Sequence, residues 1–142
     1  MSVGSGAGRS DEIELRIGAE LTNLPIIRSL AASIAMRADY DLDSIADLKL
    51  AVDEACSTLI TRATVDATLL CGFTVSKDEI RFRVTISSDS DVPPSSDSFG
   101  WRVLTTLTDQ ARSWVERDGQ GGERPGNLVH IELAKRRAEG PA

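Results

Sequence analysis

DLKLAVDEACSTLITRA, residues 47 to 63, reads as a helix carrying charge where plain hydrocarbon would serve. Leu48, Val52, Cys56, Leu59 and Ala63, with Ile45 one turn earlier, recur at three- and four-residue steps and lay an apolar stripe along one face. Asp43 is the expected N-cap, its carboxylate placed to accept from the free N–H groups of the first turn. Asp53 and Glu54 break into the middle of this pattern, Asp53 on the side expected to face outward. Thr58 and Arg62 follow Glu54 at steps of four, so the three share one helix face and converge on whatever lies beside it. A glutamate on an amphipathic helix is ordinarily a solvated charge. A glutamate aligned with a hydroxyl and a guanidinium is also the raw material of a site.

Working outward, TNLPIIRSLAASIAMRAD (22 to 39) predicts another helix. Thr22 or Asn23 is its cap and Pro25 lies in the first turn, where a missing N–H costs little. Its stripe is Leu24, Ile27, Leu30 and Ile34, extended to Met36. Before it, IELRI (13 to 17) alternates as a half-buried strand does. After the 47 to 63 helix, ATLLCGFTVS (67 to 76) and EIRFRVTIS (79 to 87) flank a short polar turn at Lys77 and Asp78, which predicts an antiparallel hairpin. SDSDVPPSSDS (88 to 98) is a loop. WRVLTTLTDQA (101 to 111) reads as a third helix, SWVERD as a strand, GQGGERPG as a loop and NLVHIEL as the last strand. The order β, α, α, β, β, loop, α, β, β predicts an α+β two-layer sandwich, three helices on one face of a mixed, mainly antiparallel sheet. The opposite face is then solvated or buried in a partner.

Composition narrows the function classes. A chain of 142 residues suits one domain. The expected folded part is 11 to 135, with a Gly/Ser-rich tail at 1 to 10 and a charged tail at 136 to 142. A net charge of −6 argues against direct nucleic-acid binding through phosphate neutralisation and favours a basic partner. No apolar run approaches the roughly 20 residues of a membrane span and no hydrophobic leader opens the chain, so a cytoplasmic location is expected. Cys56 and Cys71 lie within apolar patterns without metal-ligand spacing and read as reduced core residues. His130 is the single histidine, which excludes a paired-histidine mechanism, and the alternation of NLVHIELAK predicts a strand residue facing outward. Trp101 and Trp114 read as core or interface anchors.

The element order, AVDEACSTLITRA, and SFGWRVLTTLTDQ after the loop together resemble the GHKL ATPase fold in its small bacterial form, the RsbW-type anti-sigma factors and switch-protein kinases, closest to actinobacterial anti-sigma-F regulators. The resemblance covers roughly residues 11 to 135. In that family a Glu-Ala pair is followed by Asn and then His at four-residue steps; here Glu54 and Ala55 match, Thr58 stands at the Asn position and Arg62 at the His position. The resemblance implies Glu54 as general base, Thr58 at the Mg position, and ATP or ADP with Mg as cofactors. The family's adenine-binding Asp falls on Ser88, or on Asp89 with a one-residue slip, and neither alignment finds the glycines that follow it in the family. The phosphate-binding Gly-x-Gly-Leu maps to Ser98, Phe99, Gly100 and Trp101, and the Gly-Thr before the final strand to Gly126 and Asn127.

Function follows from the resemblance in two forms. One is an anti-sigma factor that sequesters a sigma-F-like RNA polymerase sigma factor and is released by an anti-anti-sigma partner of the STAS type. The other is an active Mg-ATP-dependent serine kinase that phosphorylates that STAS partner. A homodimer is implied in both. Were the motif positions coincidental, the same pattern would describe an unrelated two-layer interaction domain.

Overall fold

A computed structural model describes residues 11–117 and 126–138; the segment 1–10, most of the GQGGERPG loop and residues 139–142 lie outside the described residues. The elements are β1 (Asp11–Gly18), α1 (Leu24–Arg37, entered through a 3-10 turn at Leu21–Asn23), α2 (Leu42–Ile60), β2 (Thr68–Val75), β3 (Glu79–Ser88), α3 (Phe99–Leu107), β4 (Gln110–Arg117) and β5 (Asn127–Arg136).

The five strands form one sheet in the order β1-β2-β3-β5-β4, and every ladder is antiparallel. The α+β sandwich is as expected, but the mixed sheet is corrected to an antiparallel one. Between β1 and β2 the chain passes through a helix pair, which returns it to the end it left, so the two strands oppose each other. The β3–α3–β4 crossover does make two strands parallel, yet β5 is inserted between them and pairs with both.

Strand alternation decides which face the helices cover. Ile80, Phe82, Val84 and Ile86 of β3 oppose Lys135, Leu133, Ile131 and Val129 of β5 in register. With Leu69, Cys71 and Phe73 of β2 they form the sheet side of the core. Ile13, Leu15 and Ile17 of β1 and Ala111 and Val115 of β4 extend it to both edges. Phe73 and Phe82 sit across from one another with ring centroids 4.7 Å apart, within the range of favourable aromatic pairs. Over this floor α2 buries Leu48, Ala51, Val52, Ala55, Cys56 and Leu59, and α1 packs beside it through Ile27, Ala31, Ile34 and Ala35.

Helix ends differ from the sequence expectation in instructive ways. Asp41, not Asp43, caps α2, its Oδ1 accepting from Ser44 N–H at 2.7 Å; Asp43 lies in the first turn, where a carboxylate complements the helix dipole. The helix stops at Ile60, short of Ala63. Asn23 does not cap α1 with its side chain but donates from Nδ2 to the Gly18 carbonyl. Met36 is not part of the α1 stripe: it is 58% exposed, and alanines at 31 and 35 take the buried positions. The third helix begins at Phe99 and ends at Leu107, so TDQA does not continue it; residues from Gln110 pair with β5 instead, with Ala111 opposite Leu133 and Val115 opposite Val129. Tertiary pairing here overrides a helix-compatible sequence.

The face of the sheet away from the helices is not simply solvated. Glu132 points to that side yet is only 4% exposed, because Arg81, Arg83 and Arg112 close over its carboxylate with guanidinium–oxygen distances of 3.2, 2.8 and 2.9 Å. His130 also faces that side, as expected, but it is 5% exposed rather than open. Trp114 stacks on its ring at 4.8 Å, and Arg83 and Arg112 lie over the Trp114 ring at 5.0 and 4.6 Å. Trp114 is therefore the cover of a polar cluster rather than a core anchor, while Trp101 packs against the core from α3.

Candidate functional site

Glu54 and Thr58 share the α2 face that meets α3, and Arg62, in the turn just past the end of α2, reaches the 89–98 loop. Glu54 and Thr58 are half-buried there. Thr58 Oγ1 donates to Glu54 Oε2 at 3.2 Å, one turn along the same face. Gly100, in the first turn of α3, comes down on this carboxylate: a Cβ at position 100 would stand 2.9 Å from Oε2 and 3.1 Å from Cδ of Glu54. A larger residue there would displace the Glu54 carboxylate, the flexible end of its side chain. The start of α3 is set by Ser98, whose Oγ accepts from Trp101 N–H at 3.1 Å and donates to the Ser95 carbonyl at 3.0 Å. Leu104, the buried residue of α3, holds the helix against the core. The carboxylate of Glu54 consequently stands beside the positive end of the α3 dipole, a place suited to an anion.

A second group of predicted residues gathers along the loop. Arg62 Nη1 donates to the Val92 carbonyl at 2.5 Å. Asn127, at the start of β5, donates from Nδ2 to the Ser90 carbonyl at 3.1 Å. Ser88 is buried at the end of β3 and its Oγ accepts from Ser90 N–H at 3.1 Å. Ser90 Oγ in turn accepts from Val92 N–H at 3.2 Å, and Pro94 is buried. Asp89 is exposed, and Asp91 meets Arg117 at 3.2 Å. The fold therefore brings Glu54, Thr58, Ser98 and Gly100 together at one end of the α2 face, and Arg62, Ser88 and Asn127 together at the other.

Near this seam, Asp53 is not simply outward. It is partly covered and lies 3.4 Å from Arg28 Nε of α1, an ion pair the sequence spacing did not disclose. Beneath the helix Cys56 and Cys71 are free and buried. A hydrogen bond with Cys71 and burial hold the Cys56 thiol well above its usual range, which disfavours the reactive thiolate.

Comparison with known proteins gives these positions a context. No family model matches the chain. It is 38% identical over 126 residues to the anti-sigma-F factor RsbW of Mycobacterium tuberculosis, covering 89% of this chain and 74% of that protein. The chain belongs to the RsbW family of anti-sigma factors. It is also 35% identical over 83 residues to the serine-protein kinase RsbW of Bacillus velezensis, spanning 56% of this chain and 52% of that one. A shorter match of 55 residues, 36% identical, joins it to the serine-protein kinase RsbW of Bacillus cereus, over 39% of this chain and 34% of the relative.

The serine-protein kinases among these relatives imply ATP and magnesium as cofactors within the family. At the α3 N-terminus Gly100 lies directly against the Glu54 carboxylate. Thr58 donates its hydroxyl hydrogen to Glu54, leaving its oxygen lone pairs free, and Arg62 and Asn127 each donate one N–H to a loop carbonyl. The loop from 88 to 98 contains no glycine to let its backbone approach a phosphate or a base.

Proposed function

We propose that this chain acts as an anti-sigma factor, sequestering an alternative RNA polymerase sigma factor of the sigma-F class and releasing it to an anti-anti-sigma partner of the STAS type. The observation that carries this reading is the 38% identity to an anti-sigma-F factor across 89% of the chain. The acidic balance, −6 overall, adds electrostatic attraction for a basic partner surface. No helix among the described residues is long and apolar enough to cross a membrane, which suits the cytoplasmic location that a sigma-factor partner requires.

The family names the Bacillus relatives as serine-protein kinases, and phosphorylation of the STAS partner is the second reading, with Glu54 as base and Ser88 or Asp89, Ser98, Gly100, Arg62 and Asn127 around the nucleotide. Thr58 and Arg62 at the family's Asn and His positions, and a glycine-free 88–98 loop, weigh against it, because phosphoryl transfer depends on positioned metal and substrate. We also read the chain as a homodimer through the open face of the sheet. Glu12 and Glu14 lie exposed along β1 at one edge while Arg83 and Arg112 flank Trp114 toward the other, so a second copy related by a two-fold axis would meet acid with base.

The test is a displacement experiment. The chain mixed with a sigma-F-like factor is resolved by size exclusion, and the STAS partner is then added. A complex that forms and gives way to a complex with the STAS protein supports the reading. Absence of a complex with every sigma factor of the same genome would sink it.

A further inference from the structure

We propose that the free edge of β1 is a self-association surface, on which a second copy of the chain adds its own β1 antiparallel to the first, with Leu15 opposite Leu15 on the two-fold axis. This contact goes beyond the sequestration and open-face readings and rests on neither.

The edge lacks the devices that ordinarily keep a rim strand from pairing. Among the described residues β1 is paired with β2 alone. All 8 of its residues match β2 one to one, so no bulge twists the edge away, and DEIELRIG holds no proline. Glu12, Glu14 and Arg16 lie on the open face, while the helix-side positions are Ile13, Leu15 and Ile17 and carry no charge. Those three pack on the core yet are only partly buried, which leaves apolar surface at the rim for a further strand to cover. β4, the opposite rim, offers Ala111, Ser113 and Val115 on that side, a less apolar set.

The sequence of β1 then selects both the partner and the register. Two copies with their helices on one side of a joined sheet must pair residues of the same face, so a one-residue slip is excluded. With Leu15 on the axis, Glu14 of each copy stands opposite Arg16 of the other, and Ile13 opposite Ile17. Sliding one strand by two residues sets Glu14 against Glu14 in one direction and Arg16 against Arg16 in the other. The Leu15-centred register alone opposes unlike charges with no like pair, and symmetry makes its Glu14–Arg16 contact twice.

The test uses the full chain carrying Leu15→Cys, oxidised with diamide and read as dimer on a non-reducing gel. Residues directly opposite in an antiparallel pair have Cα atoms about 4.5–5.5 Å apart, inside the disulfide range, and a residue on the axis meets itself. Ile13→Cys and Ile17→Cys do not meet themselves, but a mixture of the two crosslinks in this register, which covers the case in which Leu15→Cys fails to fold. Native Cys56 and Cys71 are buried, so the unsubstituted chain gives the background. The expected result is crosslinking of Leu15→Cys at least ~10-fold faster than of Ile13→Cys or Ile17→Cys alone. Adding Glu14→Arg should slow it about 10-fold, and adding Arg16→Glu as well should restore it, because the exchanged charges oppose each other again. No dimer from either preparation, equal rates for the three single variants, or a rate indifferent to Glu14→Arg would each overturn the proposal. A homodimer through the open face alone gives no Leu15→Cys crosslink, since Leu15 packs on the helix side, and sequestration stands under either result.

Discussion

Replacing Glu132 by glutamine should cost this fold more than its position on the open face of a sheet would suggest. The carboxylate is 4% exposed and accepts from Arg83 Nε and Nη2 at 3.0 and 2.8 Å, from Arg112 Nε at 3.0 Å and from Arg81 Nη1 at 3.2 Å. Burial raises its pKa, but hydrogen bonds and charge from Arg83 and Arg112 outweigh burial and hold the carboxyl below its ordinary value of 4.5. The guanidiniums are between 36% and 64% exposed, so each pair is screened and contributes no more than about 0.5–1 kcal/mol. Glutamine keeps the volume, removes three such attractions and leaves three like charges converging. The sum is about 2 kcal/mol, or a fall of roughly 6–10 °C in the unfolding midpoint for a domain of this size. The pH dependence has a definite sign. The folded pKa lies below the unfolded one, so the stabilisation is complete above about pH 4.5 and disappears as pH falls through the lower folded value. Thermal melts followed by circular dichroism from pH 7 to pH 3 should show Glu132→Gln less stable at neutral pH and converging on the wild type in acid. A midpoint within 1 °C of wild type at pH 7 would refute the reasoning.

Three further outcomes are expected. Leu104→Ala removes the buried anchor of α3 and should cost about 2–4 kcal/mol, with protection of the Trp101 amide lost first; unchanged stability by denaturant titration would contradict the role given to α3. Asp41→Ala should lower the unfolding midpoint by a few degrees and Asp43→Ala by less, since Asp41 makes the cap bond to Ser44 N–H; equal effects would contradict the assignment of the cap. Burial depresses the His130 pKa below 6.5, Arg83 adding to the shift and Glu116, 2.8 Å from Nε2, opposing it. In a Trp101→Phe background, Trp114 fluorescence should therefore fall only as pH drops below 6.5, with no such step in His130→Gln; a midpoint at or above 6.5 would contradict the buried, neutral imidazole.

Much of the fold was legible because periodicity reports burial. The stripe of Leu48, Val52, Cys56 and Leu59 and the alternation of Ile80, Phe82, Val84 and Ile86 both predicted the core they form. Misreadings arose where a local signal had two solutions. Asp41 and Asp43 both suit a cap, and only the turn after α1, where Asp39 takes a left-handed φ of 61°, decides between them. TDQA suits a helix, but β5 offers it a partner, and such a pairing cannot be read from neighbours in sequence. The same blindness hid the Glu132 cluster. Arg81 and Arg83 alternate on one strand, and Glu132 and Arg112 lie far along the chain; nothing short of the β3–β5–β4 order places them together. At the candidate site the Glu54-Ala55 pair exposed the family, and helical spacing placed Glu54 and Thr58 on one face, whereas Arg62 lies past the end of α2 at Ile60. What spacing did not reveal is that the partners of these residues are the chain's own loop and α3.

The reading of this chain as an anti-sigma factor is tested most simply by calorimetric titration against the sigma-F-like factors of its own genome, in buffer free of nucleotide. Sequestration predicts a saturable complex with at least one of them, reversed by the STAS partner. No heat of binding to any sigma factor, with or without nucleotide, would contradict sequestration.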